Sequence, residues 1–208
     1  KRSFLPDGRI LSALWSSGLW ISDPKTGSHE QLFKGTCEEG FAVSKDGRRI
    51  ILVELTGEGT RGAQSRAVIL DRDAGTAIQL ASHGDQVWSV AMNAAGTIVA
   101  TGDKEGVLRV GAATGAEPHL LLGHEGLISD VEIDPLGRWI ATGGDDTTVR
   151  IWPMPDLSRP PLHTLSHDEL LAKLRSLTNL RLVRDDESAT GWTLTHVPFP
   201  GWETEPTW

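Results

Sequence analysis

The residues whose types and spacing could support chemistry begin with a glycine-rich segment. Residues 57–62 read Gly-Glu-Gly-Thr-Arg-Gly and match the G-x-G-x-x-G pattern, which cradles a pyrophosphate when it leads from a strand into a helix. Here the following residues, 66–70, are strand-like, and the sequence contains none of the catalytic motifs of a protein kinase. The segment therefore predicts a hairpin loop, and we expect no cofactor.

Two histidines and the single cysteine are the next candidates. His163 and His167 are four residues apart, a spacing that on a helix can place two imidazoles on one metal ion. They flank the predicted start of a helix and no H-E-x-x-H pattern joins them, so we predict no metal site. Cys37 stands beside Glu38, whose negative charge would raise the thiol pKa and make it a poor nucleophile.

Acidic clusters could act as general acids and bases. They lie in segments predicted to be turns, where turn formation and solubility explain them better: Asp145 with Asp146, Asp71 with Asp73, and residues 185–187. We therefore predict no catalytic residue and expect that the chain is not an enzyme.

The composition argues against several classes of partner. The chain has 20 Lys and Arg against 28 Asp and Glu, a net charge of -8, which disfavours nucleic acid and favours basic partners. No apolar run approaches the roughly 20 residues that span a bilayer. One cysteine cannot form an internal disulfide, which is typical of a reducing compartment. We predict a cytoplasmic chain that binds neither nucleic acid nor a membrane.

The elements that must position any site repeat along the chain. Gly8, Gly47, Gly96 and Gly137 each end one strand-like stretch and begin another, at intervals of 39, 49 and 41 residues. The surplus of the longest interval falls at residues 56–65, where a hairpin tip can lengthen at little entropic cost. Each period holds four short alternating stretches, which predicts four-stranded antiparallel sheets.

This arrangement resembles the WD-repeat (WD40) family of β-propellers, in which each blade is one four-stranded sheet. The match is clearest from Gly123-His124 through the stretch that ends at Trp152. The resemblance implies a tetrad of His124, Thr142, Asp146 and Trp152 that stabilises the blade. An imidazole held by a carboxylate, with hydroxyl and indole partners, would satisfy polar atoms between sheets.

The other repeats match this pattern less well. In the third repeat His83 occupies the histidine position, and Val110 is assigned to the tryptophan position. The second repeat has Leu70-Asp71 in place of Trp-Asp. We therefore predict weaker networks in these blades. The resemblance covers residues 1–165, interpreted as one partial blade at the N-terminus and three complete blades of an incomplete ring.

The remaining residues, 166–208, break the period. Ser166 and Glu169 form a capping box that predicts a helix with one apolar face over residues 170–177. Residues 180–184 and 192–197 predict a hairpin. We expect this tail to pack on the last blade, with Trp202 and Trp208 as possible partner anchors. Three other tryptophans are predicted to be mostly core: Trp88, Trp139 and Trp152.

The sequence thus predicts an all-β propeller fragment of four-stranded antiparallel blades with a C-terminal helix and hairpin. Its predicted function is non-catalytic binding of a protein or peptide partner, as the C-terminal part of a larger WD-repeat protein. Resemblance to large bacterial WD-repeat proteins leaves two alternatives. The chain could be the regulatory propeller of a multidomain enzyme such as a serine/threonine kinase, or a half-ring that another chain completes.

Overall fold

The computed structural model describes residues 1–56, 64–177, 180–185, 187–188 and 191–196. The predicted glycine-rich loop at 57–62 and the candidate anchors Trp202 and Trp208 lie outside these described residues. The chain divides into two compact units, Lys1–Leu157 and Ser158–Trp208, whereas the sequence placed the boundary after residue 165.

The first unit consists of four antiparallel sheets, in which consecutive strands pair in chain order. Their strands are β1 Arg2–Phe4, β2 Ile10–Leu14, β3 Gly18–Ser22 and β4 His29–Phe33; β5 Thr36–Val43, β6 Arg49–Thr56, β7 Gln64–Asp71 and β8 Thr76–Gln79; β9 Val87–Met92, β10 Ile98–Asp103, β11 Val107–Ala112 and β12 His119–Leu122; β13 Ile128–Ile133, β14 Trp139–Gly144 and β15 Val149–Pro153. A short 3-10 helix, Ala81–His83, precedes the third sheet. The predicted all-β architecture of antiparallel blades is confirmed.

The repeated glycines form the same turn in each sheet. Gly8, Gly47, Gly96 and Gly137 have φ between 69° and 84°, a left-handed conformation that glycine adopts without the steric penalty of a Cβ. Each donates its amide to the carbonyl three residues earlier, at 2.7 to 2.9 Å. The period of the sequence therefore corresponds to one tight turn per sheet, between the first and second strands.

The strand count differs between the first and fourth sheets. The sequence predicts that the first blade is the partial one, yet β1 pairs with β2 and completes a four-stranded sheet. In the described part of the chain the fourth sheet has three strands. The residues after β15 include Pro155, Pro160 and Pro161, which have no N–H to donate to a neighbouring strand. A 3-10 helix, Leu162–Thr164, follows them.

The core lies between successive sheets. Because neighbouring residues of a strand point to opposite faces, Ile50 and Leu52 of β6 pack toward the first sheet, whereas Ile51 and Val53 pack in the cluster shared with the third. A third cluster joins the third and fourth sheets through Ala100, Leu108 and Val110 with Ile128, Val131 and Ile140. Strands buried on both faces explain the continuous apolar run of β6.

The second unit contains the predicted helix and hairpin. Helix α1 spans His167–Leu177, and its cap matches the predicted capping box. The Ser166 amide donates to Oε2 of Glu169 at 3.0 Å, and the Glu169 amide donates to Oγ of Ser166 at 3.4 Å. Strands β16, Leu180–Arg184, and β17, Trp192–His196, pair antiparallel. Among the described residues, no helix is long and apolar enough to cross a membrane.

Candidate binding cleft and blade hydrogen-bond networks

The fourth sheet brings the four predicted tetrad side chains together. His124 precedes β13, Thr142 lies on β14, Trp152 lies on β15, and Asp146 lies in the turn between β14 and β15. Nδ1 of His124 is 2.8 Å from Oδ2 of Asp146, and Nε2 is 2.7 Å from Oγ1 of Thr142. Nε1 of Trp152 donates to the same Oγ1 at 2.8 Å. The carboxylate favours a proton on Nδ1, so Nε2 accepts from the threonine hydroxyl.

Asp146 fixes the loop before β13 to the turn after β14. Burial alone would raise its pKa, but hydrogen bonds from the Thr148 hydroxyl and from the backbone amides of Glu125 and Thr148 outweigh it. With the contact to His124, they hold the pKa of Asp146 well below its usual range. The carboxylate is therefore charged at neutral pH and satisfied by donors from both loops.

The order of hydroxyl, imidazole and carboxylate matches the order in a hydrolase triad, but the environment differs. A catalytic hydroxyl must reach a substrate carbonyl and give its proton to the histidine. Thr142 is 2% exposed, and its oxygen already accepts from the Trp152 indole. The network can hold the blade together and offers no accessible nucleophile.

The third sheet carries an incomplete version of this network. Nδ1 of His83 is 3.0 Å from Oγ1 of Thr101, the position equivalent to Thr142. Gly111 is the position equivalent to Trp152. Trp152 pairs with the residue two before Thr142, and Gly111 pairs with the residue two before Thr101. The assignment of Val110 to the tryptophan position is therefore wrong by one residue.

The third network contains an unpaired imidazole nitrogen. A Cβ added to Gly111 would lie 3.5 Å from Nε2 of His83, and this buried nitrogen has no hydrogen-bond partner among the described residues. Burial first, and the charge of Arg109 second, lower the pKa of His83 to about 4. His83 is therefore a neutral, fully buried imidazole at physiological pH.

A cleft lies where the first strands of the four sheets begin. It has a volume of about 420 Å³ and is lined by Lys1, Trp15, Gly40, Trp88, Ser89, Val90, Ser129 and Asp130. These residues belong to or border β1, β5, β9 and β13, except Trp15, which lies in the turn between β2 and β3. Each sheet therefore contributes to one surface, although the residues are far apart in sequence.

Two indoles and a carboxylate give this cleft its chemistry. Trp15 is 56% exposed, and the ammonium of Lys104 lies 5.4 Å from the centre of the half-buried Trp88 ring. Ser89 donates to the carbonyl of Ile128 at 2.8 Å, so its hydroxyl joins the third and fourth sheets. The described hydrogen bond of the exposed Asp130 is from the adjacent Val131 amide at 3.1 Å.

The tryptophan predictions have different outcomes. Trp152 is half-buried in the network of the fourth sheet, and Trp88 is half-buried but lines the cleft. The prediction that Trp139 is core is wrong, because it is 47% exposed on β14. Sequence reasoning missed Trp15; its position in a turn, outside the alternating apolar pattern of a strand, was the available signal.

The other chemical candidates form no site in the described part of the chain. Burial, and then the charge of Glu54, raise the pKa of the Cys37 thiol to about 11. His163 lies in the 3-10 helix and His167 is the first residue of α1. Among the described residues, no three His, Cys, Asp or Glu side chains are grouped so that they could hold a metal ion.

Comparison with known proteins identifies the repeats. The family model "WD domain, G-beta repeat" (WD40) matches residues 76–110 and 115–153, which include β8, most of the third sheet and the three strands of the fourth. A chain in the crystal structure of a mitotic checkpoint complex has a TM-score of 0.60 and 19% identity. That match covers 74% of this chain and 45% of the other, and it supports the fold.

Short segments also match curated fungal proteins. The ribosome biogenesis protein erb1 of Botryotinia fuckeliana is 58% identical over 33 residues, which are 16% of this chain and 4% of that protein. ERB1 of Pyricularia oryzae is 45% identical over 53 residues, 26% of this chain and 7% of that protein. The chain thus matches only a small share of these relatives. Residues 76–110 and 115–153 match the WD40 repeat model, and the antiparallel sheets have the all-β architecture of propeller blades.

Proposed function

We propose that this chain is a non-catalytic module for protein–protein interaction and that its binding site is the cleft at the first strands of the four sheets. The observation that carries the proposal is that the exposed indole of Trp15 lines one cleft together with Trp88 and Asp130. Aromatic side chains in concave, rigid surroundings account for much of the binding energy in protein interfaces. The solved neighbour belongs to a multiprotein complex, which also supports a protein partner.

The indole N–H signals of the tryptophans provide a direct test. Signals from ¹⁵N-labelled protein are assigned with the single variants Trp15→Phe, Trp88→Phe and Trp139→Phe, and a random-sequence nonapeptide pool is then added. We expect the signals of Trp15 and Trp88 to shift, while that of Trp139, which lies outside the cleft, stays unchanged. Unchanged signals for all three, or equal shifts for all three, would reject the cleft as the binding site.

A second candidate function is ring completion by another blade, supported by the free face of the fourth sheet. Val149 and Ile151 are 76% and 61% exposed. By their strand pairing, Val149 and Ile151 are equivalent to Leu108 and Val110 of the third sheet. Leu108 and Val110 are 0% exposed, because the fourth sheet covers them. We propose that a blade from the same longer polypeptide or from another chain covers this face.

Sedimentation of this chain alone separates these sources. If two copies complete each other, the chain sediments as a dimer, and the double variant Val149→Ser with Ile151→Ser is monomeric. The control variant Val183→Ser, at an exposed valine of the hairpin, leaves the dimer intact. A monomeric wild type excludes the homodimer.

We further propose that the chain belongs to a cytoplasmic bacterial protein with an upstream effector domain such as a kinase. The intact mass of the native polypeptide tests whether such an upstream domain is present.

A further inference from the structure

We propose that the cleft recognises an arginine side chain on an extended segment of the partner, an inference that rests on the proposed function. Asp130 and Trp15 line the same cleft. A carboxylate and the face of an indole both attract cations, and a planar guanidinium can stack on the ring while it donates to the carboxylate. A lysine ammonium is a compact, more strongly hydrated charge that cannot stack in this way.

Of the residues that line the cleft, Asp130 carries a negative charge and Lys1 a positive charge. The ammonium of Lys104 lies over the Trp88 ring at 5.4 Å, and that of Lys1 lies 5.7 Å from the centre of the Phe41 ring. Both basic groups are thus placed on aromatic faces. Asp130 accepts its described hydrogen bond from one backbone amide, although a carboxylate has about four acceptor positions. The Asp130 carboxylate therefore has acceptor positions that a cationic side chain can fill.

The wider field of the protein acts in the same direction. Lys1 opposes a cation within the cleft, but the whole chain carries a net charge of -8. Such an excess attracts basic segments at long range. An acidic ligand would instead bring its own carboxylate beside Asp130, and like charges in a partly desolvated cleft destabilise a complex.

The test uses the full chain of 208 residues and three fluorescein-labelled nonapeptide pools, random except for a central arginine, leucine or glutamate. Fluorescence anisotropy measures the affinity of each pool. We expect the arginine pool to bind about tenfold more tightly than the glutamate pool. Asp130→Asn should reduce this preference to about twofold or less, whereas Asp73→Asn, which removes an equal charge from a turn outside the cleft, should preserve it.

A second pair of variants examines the stacking surface. Trp15→Ala should weaken the arginine pool about tenfold, and Trp139→Ala should leave it unchanged. Binding of the leucine or glutamate pool as tightly as the arginine pool would overturn the inference while preserving the cleft as a peptide site. If no pool binds, or if binding is insensitive to Trp15→Ala, the proposed binding site itself is wrong. Thermal melting of each variant distinguishes lost binding from lost folding.

Discussion

Lowering the pH should destabilise this chain through His83, the buried imidazole of the third sheet. Its pKa is about 4 in the folded protein against an ordinary value of 6.5. Between these two values the unfolded chain binds a proton that the folded chain does not bind. The free energy of unfolding therefore falls as the pH decreases through this window, and His83 makes no such contribution to the pH dependence above it.

The size of the effect follows from the difference in pKa. Each pKa unit corresponds to about 1.4 kcal/mol, so the protonation of His83 in the unfolded state should lower the free energy of unfolding by about 1 to 2 kcal/mol at pH 5.5 and by about 2 to 3 kcal/mol at pH 4.5. The causes are burial and the positive charge of Arg109. A proton added to Nε2 of His83 would be buried without an acceptor among the described residues, because the described partner of the imidazole, the Thr101 hydroxyl, lies at Nδ1.

Urea unfolding at several pH values between 7.5 and 4.5 measures this contribution. The variant His83→Gln keeps a hydrogen-bonding group near Thr101 but does not titrate, so its unfolding free energy should fall less steeply with acidification. His29→Gln, which removes an exposed histidine, is the matched control and should follow the wild type. An NMR titration of the wild type gives an independent reading. An imidazole of His83 that titrates near pH 6.5, or equal slopes for wild type and His83→Gln, would refute the reasoning.

Three further results are expected. Thr142→Val should lower the free energy of unfolding by about 2 kcal/mol, because the imidazole of His124 and the indole of Trp152 lose a shared partner. Thr101→Val should lower it by about 1 kcal/mol, because only the contact with His83 is lost. Urea unfolding compares the two variants, and equal losses would contradict the tetrad. At pH 8 the thiolate fraction of Cys37 should be about a hundredfold lower in the folded protein than in the unfolded chain. A disulfide reagent should therefore react slowly until urea is added. Fast reaction of the native protein would contradict the burial of the Cys37 thiol. Binding of a basic segment to the cleft should weaken as NaCl is raised, and an affinity independent of salt would exclude the charge contribution.

The architecture was predictable because its determinants are local. A glycine with positive φ ends each first strand, and the alternating pattern on either side of it needs no distant partner to be recognised. The capping box at Ser166 and Glu169 is local in the same sense. The tetrad residues were assigned from the resemblance to the WD40 family, and their contacts are present in the fourth sheet.

The tryptophan position of the third sheet was misassigned by one residue. A shift of one residue moves a side chain to the opposite face of a sheet. Val110 packs toward the fourth sheet, whereas Gly111 lies beside His83. Because Gly111 follows Thr101 by ten residues, as Trp152 follows Thr142, the spacing in the sequence identifies the correct position.

The exposure of a sheet face depends on the neighbouring sheet, and for that reason the pattern of a single strand could not indicate it. Trp139 on β14 corresponds to Ile98 on β10, since each pairs with the last residue of its own sheet's third strand. Ile98 packs against the cluster between the third and fourth sheets, whereas Trp139 is 47% exposed. The cleft depends in the same way on several repeats, because Trp15, Trp88 and Asp130 line it together although they belong to different sheets. The repeat thus specifies each blade, while the lining of the cleft arises from the differences between blades.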